Sequence, residues 1–247
     1  MDKDLQSIIE VMQTYCDIGK NLLALNPVDF YDRVVKPIED HSEYAPSYAM
    51  GATKGVLIFT DHDLVLKIPF GANEWDEGEY ESTLAAWDAG EIKEEPMLED
   101  YLRYFGSATN FFIETQHNWD YCELECGIYQ EAEKVGLEAY FAKEEWIADI
   151  NGYPIYRQVM VTPYNDDIAS HSRSDEDCRN ARESCSRLGV YCFNDSWLAD
   201  FLDAYGEEEL KRLDEFLEKL NIVDLHGGNV GYLGKYPILL DYSNYND

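Results

Sequence analysis

Positive charge is what this sequence has least of. Nineteen Lys and Arg stand against 50 Asp and Glu, so the 247 residues carry a formal net charge of −31. Binding to nucleic-acid phosphates needs a Lys/Arg footprint, so no direct nucleic-acid partner is expected. Long apolar runs are also missing. None approaches the roughly 20 residues of a membrane span, and no membrane partner is expected. The opening residues Met1-Asp2-Lys3-Asp4 contain no basic segment leading into an apolar one. No secretory signal is therefore expected, and a cytoplasmic location is the default. Cysteines occur at 16, 122, 126, 178, 185 and 192, with no Cys-x-x-Cys pair and no accompanying His cluster. They read as buried or incidental thiols, not as zinc ligands or disulfides.

What is present suffices for a core: 45% of residues are hydrophobic and 14% aromatic, which excludes wholesale disorder. The length suits one two-lobed domain or two small ones. The acid is spread over 74–81, 91–100, 175–177 and 207–209. Solvated helix faces are the plain reading. The sharper alternative is a surface that captures a basic protein or mimics the charge of DNA, in a composition that would suit a phage or mobile element.

Leu5, Ile8, Ile9, Met12 and Cys16 recur at helical spacing, which predicts a helix over 3–24, broken at Asn26-Pro27. A second short helix is expected over 27–38. Two strands follow, Val56–Phe59 and Leu64–Phe70, around a turn at Asp61-His62-Asp63, and then a helix over 74–89. Residues 90–135 are acidic and aromatic and read as a helical insertion. Strands are expected at 139–142 and 145–150. Asn151-Gly152 is a hairpin signal, with a return strand at 154–161. Helices are expected over 174–188, 195–204 and from 207 onward. The expected organisation is an N-terminal helical segment 1–46, a sheet-rich part 47–165 and a helical part 166–247.

The chemistry-bearing residues gather near the end. Asp224 and Asn229 are five apart in a Gly-rich loop, and Asp241 comes twelve residues after Asn229 at the tip of an apolar strand. A tight turn between two strands would fold Asp241 back beside Asn229. An Asn and an Asp together make a hard-oxygen pocket suited to Mg²⁺ carrying phosphate oxygens. A second Asp nearby could orient or deprotonate an acceptor hydroxyl.

Asp224-Leu225-His226-Gly227-Gly228-Asn229 resembles the Asp-x-x-x-x-Asn catalytic loop of the protein-kinase-like superfamily, in the Asp-x-His-x-x-Asn form of its atypical, aminoglycoside- and lipid-kinase-like branches. Asp241-Tyr242-Ser243 is similar to the Asp-Phe-Gly metal motif. Gly51-x-x-x-Gly55, a strand and Val65-Leu66-Lys67 resemble the Gly-rich loop and the lysine-bearing strand that follows it. The order of these parts along the chain matches the family.

The resemblance implies an α+β, two-lobed fold with an antiparallel-sheet N-lobe and a reduced helical C-lobe. It implies ATP and Mg²⁺ as cofactors. Asp224 would be the catalytic base, His226 a polar group near the transferred phosphate, and Asn229 and Asp241 the metal ligands. Lys67 would bind the α- and β-phosphates. Glu77, on the face of Tyr80, Leu84 and Trp87, ranks first as its ion-pair partner, with Glu79 and Glu81 left open. Gly51 and Gly55 would cover the nucleotide, and Val161 to Tyr164 would contact adenine through backbone groups.

The departures are specific. Ile222-Val223 replace the usual His-Arg before Asp224, so control by a phosphorylated activation loop is not expected. Ser243 replaces the motif's Gly. The sequence ends four residues after Ser243, without an activation segment. The N-terminal helices, which have no family counterpart, are expected where the missing C-terminal helices would sit. The implied activity is phosphoryl transfer to a protein Ser/Thr or a small-molecule hydroxyl. The alternative is a weak or inactive kinase-like acidic binding protein that engages a basic partner.

Overall fold

Asn151 and Gly152 adopt φ of 53° and 86° and close the expected hairpin in two residues, with Ile150 paired to Tyr153. Two consecutive positive-φ residues match the right-handed twist of the strands they join. The computed structural model that shows this hairpin describes residues 3–20, 24–72, 74–103, 108, 110, 112–164, 173–184 and 195–243. In chain order its elements are α1 (Lys3–Tyr15), α2 (Lys36–His41), β1 (Ser47–Met50), β2 (Lys54–Phe59), β3 (Leu64–Pro69), β4 (Glu74–Trp75), α3 (Glu77–Asp88), β5 (Leu102–Arg103), α4 (Tyr121–Val135), β6 (Glu144–Ile150), β7 (Tyr153–Gln158), β8 (Thr162–Pro163), α5 (Asp175–Ser184), α6 (Asp195–Tyr205), α7 (Glu207–Lys219), β9 (Val230–Leu233) and β10 (Tyr236–Leu239). The fold class is α+β.

The main sheet is antiparallel, in the order β1-β2-β3-β7-β6. Side chains alternate across it. Leu57, Phe59, Leu64, Leu66, Ile68 and Ile155 form one face, and it is covered by Leu5, Ile8, Ile9 and Met12 of α1 with Phe30, Val34, Val35 and Ile38. The N-terminal helices therefore share a core with the sheet and cover its back, instead of substituting for C-terminal helices. They are shorter than expected: α1 stops at Tyr15, and a π turn over Tyr31–Val35 leads into α2.

The opposite face presents Lys54, Val56, Ile58, Val65, Lys67, Tyr156 and Gln158. Helix α4 lies against it, N-capped by Asp120, whose Oδ1 accepts from the Glu123 amide at 2.9 Å. Gly136, at φ 72°, ends α4, and a 3-10 turn over Glu138–Tyr140 replaces the strand expected there. A second core joins α4 to α6, α7, β9 and β10 around the fully buried Trp197, Phe201 and Tyr242. A three-stranded sheet, β10-β9-β8, carries the chain end back towards the main sheet. The Ala142 amide donates to the Leu239 carbonyl at 2.8 Å, and Tyr242 Oη donates to the Ala142 carbonyl at 2.8 Å.

Helix α5 covers Asp175–Ser184 of the expected 174–188 helix; residues 185–188, Cys185 among them, lie outside the described residues, as does Cys192. Among the described residues, no helix is long and apolar enough to cross a membrane.

Candidate functional site

Helix α7 ends where Asn221 takes φ 52°, and the loop that follows is pinned by Leu225, which is fully buried. Asn229 ties the loop together. Its Nδ2 donates to the Asp224 carbonyl at 2.7 Å and its amide to the His226 carbonyl at 2.8 Å. His226 Nδ1 accepts from the Gly228 amide at 3.0 Å, and its Nε2 stands 3.8 Å from Asp224 Oδ1.

From Asn229 the chain runs out along β9, turns at Gly234-Lys235 and returns along β10, with Leu233 paired to Tyr236. Gly234, at φ 64°, supplies the positive φ of that turn. The return brings the Leu240 and Asp241 amides to the Asn229 carbonyl at 2.8 and 3.2 Å. Asp241 thus sits beside Asn229 for a local reason: two short strands of equal length and a two-residue turn.

Lys67 reaches this place from β3. It is 3% exposed, and its Nζ is 2.6 Å from Glu125 Oε2, 2.9 Å from Glu144 Oε2 and 3.4 Å from the Leu240 carbonyl. The ion-pair partner is therefore Glu125 of α4, not Glu77, Glu79 or Glu81. Helix α3, which carries those three acids, buries none of its residues and so cannot deliver a carboxylate into the sheet. Helix α4 does, because its apolar face of Cys122, Leu124, Ile128 and Ala132 is docked and Glu125 lies within it.

A second lysine joins the group. Lys54, the first residue of β2, is 2% exposed. Its Nζ lies 2.5 Å from Glu125 Oε1, 3.0 Å from Asp241 Oδ1 and 3.2 Å from Ser243 Oγ. Burial alone would depress both ammonium pKa values. For Lys54 the Asp241 and Glu125 carboxylates overcome it, and for Lys67 the Glu125 and Glu144 carboxylates do, so both end above the ordinary lysine value and stay charged. Burial lifts the Asp241 carboxyl above its ordinary value, with Lys54 opposing. Two ammonium groups against Glu125, Glu144 and Asp241 leave one net negative charge. Glu144 Oε1 is buried without a hydrogen-bond partner.

All four sequence-selected polar residues, Lys67, Asp224, Asn229 and Asp241, border one cavity of about 910 Å³, together with His226, Gly51, Lys54, Gln158 and Val161. Its apolar walls include Val56, Ile58, Val65, Met160 and Leu240. That volume and mixed lining suit a small organic ligand with a polar end.

Two expected contributors face elsewhere. A Cβ on Gly55 would lie 2.4 Å from the Phe30 ring, so this glycine makes room for core packing behind the sheet instead of covering the cavity. Gly51 does border the cavity, and a Cβ there would meet nothing closer than 3.9 Å. Tyr164 donates its amide to the Val230 carbonyl at 3.0 Å, and Thr162 and Pro163 pair with β9. The Tyr164 amide is thereby spent on the small sheet and is not available to a base.

A metal here would find Asp241 and the Asn229 amide oxygen. Among the described residues no group of three or more His, Cys, Asp or Glu forms a closed metal centre. Two protein oxygens with the remainder from phosphate and water is the usual way Mg²⁺ is held with a nucleotide, so the donor set fits that ion.

Sequence reasoning missed Lys54, Glu125 and Glu144. Only Glu125 left a signal, an acid within the apolar stripe Cys122, Leu124, Ile128 and Ala132. No protein-family model matches the chain, and no curated protein or solved structure matches it.

Proposed function

We propose that the chain is an ATP- and Mg²⁺-dependent phosphotransferase with a two-lobed, protein-kinase-like arrangement, acting on a protein Ser/Thr or a small-molecule hydroxyl. The observation that carries this reading is that Lys67, Asp224, Asn229 and Asp241, spread over 175 positions of sequence, border a single cavity. Lys67, held by Glu125, supports the phosphate chain. Asn229 and Asp241 would hold Mg²⁺, which when bound offsets charge on the phosphate oxygens. Asp224 lies on the same wall and orients the acceptor hydroxyl. The acceptor oxygen forms a bond to the γ-phosphorus, the bond from that phosphorus to the β–γ bridging oxygen breaks, and Asp224 takes the hydroxyl proton. The apolar walls under β1–β3 would hold the base.

Thermal melting with and without Mg-ATP tests binding, because a ligand specific to the folded state raises the midpoint. A rise at millimolar nucleotide is expected. Transfer of label from radiolabelled ATP to components of a lysate tests chemistry, with Asp241→Ala as control. No midpoint shift, or equal labelling by both proteins, overturns the proposal.

The second reading, an acidic binding protein, draws on the −31 charge. A separate cavity of about 730 Å³ between α4 and β6 adds to it, being walled by Asp120, Glu123, Glu133, Glu145 and Asp149 with Lys143. A basic protein captured at low salt and released at high salt would support it.

A further inference from the structure

Lys54 contributes a second ammonium group to the cavity, at a position that the sequence did not single out. We infer that Lys54 is a second phosphate-anchoring residue, acting beside Lys67 on the phosphate chain of a bound nucleotide. The inference rests on the nucleotide reading above and adds to it a second cationic residue for that chain.

The argument begins with donors. A lysine ammonium has three N–H groups and no acceptor. Those of Lys54 are all used, on Glu125 Oε1, Asp241 Oδ1 and Ser243 Oγ. Glu125 divides itself evenly, with one oxygen for Lys54 and the other for Lys67, so a single buried carboxylate presents both cations to one space. The third partner, Asp241, is the residue that a divalent cation would claim. Once Asp241 serves a metal, Lys54 has an unspent N–H at the edge of the cavity, and a phosphate oxygen is the acceptor at hand. The charge is compatible: the five ionic groups sum to one negative charge and Asp224 adds another at the cavity wall, so a divalent cation neutralises the set and leaves the two ammonium groups to meet a polyphosphate. Position fits as well. Lys54 follows the Gly51–Thr53 turn, which borders the cavity, and its side chain leaves the same face of the sheet as Lys67, from the neighbouring strand.

The test measures binding of the non-hydrolysable ATP analogue AMP-PNP with Mg²⁺, and of adenosine, by calorimetry on wild type, Lys54→Met and Lys54→Gln. Circular dichroism confirms folding. Lys54→Met is expected to bind Mg-AMP-PNP about tenfold more weakly or worse, the loss of one charge-assisted hydrogen bond, with adenosine binding unchanged. If Lys54→Met does not fold, Lys54→Gln, which keeps N–H donors for Glu125 and Ser243, makes the same comparison with the same expectation. Unchanged AMP-PNP affinity in a folded variant overturns the inference. Tighter binding also overturns it, and makes Lys54 a counterion that competes with the metal. Equal weakening for adenosine and AMP-PNP overturns it too, because the residue would then shape the cavity and not hold phosphate. Wild type that binds adenosine but gains nothing from the phosphates defeats this inference and leaves the cavity a nucleoside site. Wild type that binds neither defeats the nucleotide reading and this inference together.

Discussion

Glu125 Oε2 and Lys67 Nζ meet 2.6 Å apart, where the Glu125 side chain is wholly buried and that of Lys67 is 3% exposed. The pair joins α4 to the centre of the main sheet, and through Lys54 it also joins the sheet to Asp241. Removing one member of a buried ion group leaves the others unpaired, and that unpaired charge costs more than the intact group contributes.

Glu125→Ala is therefore expected to destabilise the protein by about 3–5 kcal/mol, read from urea unfolding. Glu77→Ala, on a helix with no buried residue, is expected to change stability by less than about 0.5 kcal/mol. Equal effects from the two would remove α4 as the partner of Lys67.

Two glycines four residues apart, Gly51 in a turn and Gly55 in β2, differ in what surrounds them. Gly55→Ala would drive a methyl group into the Phe30 ring and is expected to cost about 1–3 kcal/mol. Gly51→Ala makes only an ordinary contact, 3.9 Å from the Lys54 carbonyl, and is expected to leave the melting midpoint nearly unchanged. A tolerated Gly55→Ala would mean that Phe30 packs elsewhere.

Asp120 gives a pH dependence. Burial pushes its carboxyl up to about 6 from the usual 3.8, against the hydrogen bond that Tyr156 Oη donates to Oδ2 at 2.6 Å. An acid whose folded pKa is raised binds its proton more readily in the folded state than in the unfolded one. Its destabilising effect is thus absent below about pH 4 and complete above about pH 6. Across that window wild type is expected to lose about 3 kcal/mol relative to Asp120→Asn as pH rises. Parallel stability curves for the two proteins would show that Asp120 titrates normally.

Cys16 and Cys122 are fully buried, and burial pushes the Cys16 thiol up to about 12 and raises Cys122 as well. Both are expected to resist iodoacetamide at pH 8 until urea unfolds the chain, as mass spectrometry of the labelled peptides would show. Rapid labelling of Cys16 in the native protein would argue that α1 detaches from the sheet.

Local chemistry made several parts of this fold legible from sequence. Asn151-Gly152 signalled a two-residue hairpin, and the apolar run Leu64–Phe70 marked a strand. The return of Asp241 to Asn229 followed from strand and turn lengths alone. The helix expected to serve Lys67 was chosen on its acidity and its place after the strand. Acidity near the right position is abundant in a chain with 50 carboxylates, so it could not discriminate. The decisive feature of α4 was an acid inside an apolar stripe, and that stripe lay in the stretch 90–135 whose mixed composition hid its period.

By itself the sequence determined which side chains can carry charge into a core and where the chain must turn, since backbone freedom and side-chain polarity are properties of single residues and near neighbours. Only tertiary structure decided that Lys54 and Lys67 share Glu125, that Gly55 accommodates Phe30, and that the N-terminal helices cover the back of the sheet. Each of these is a contact between segments tens of residues apart. Its energy depends on which apolar face docks against which, and no local pattern records that.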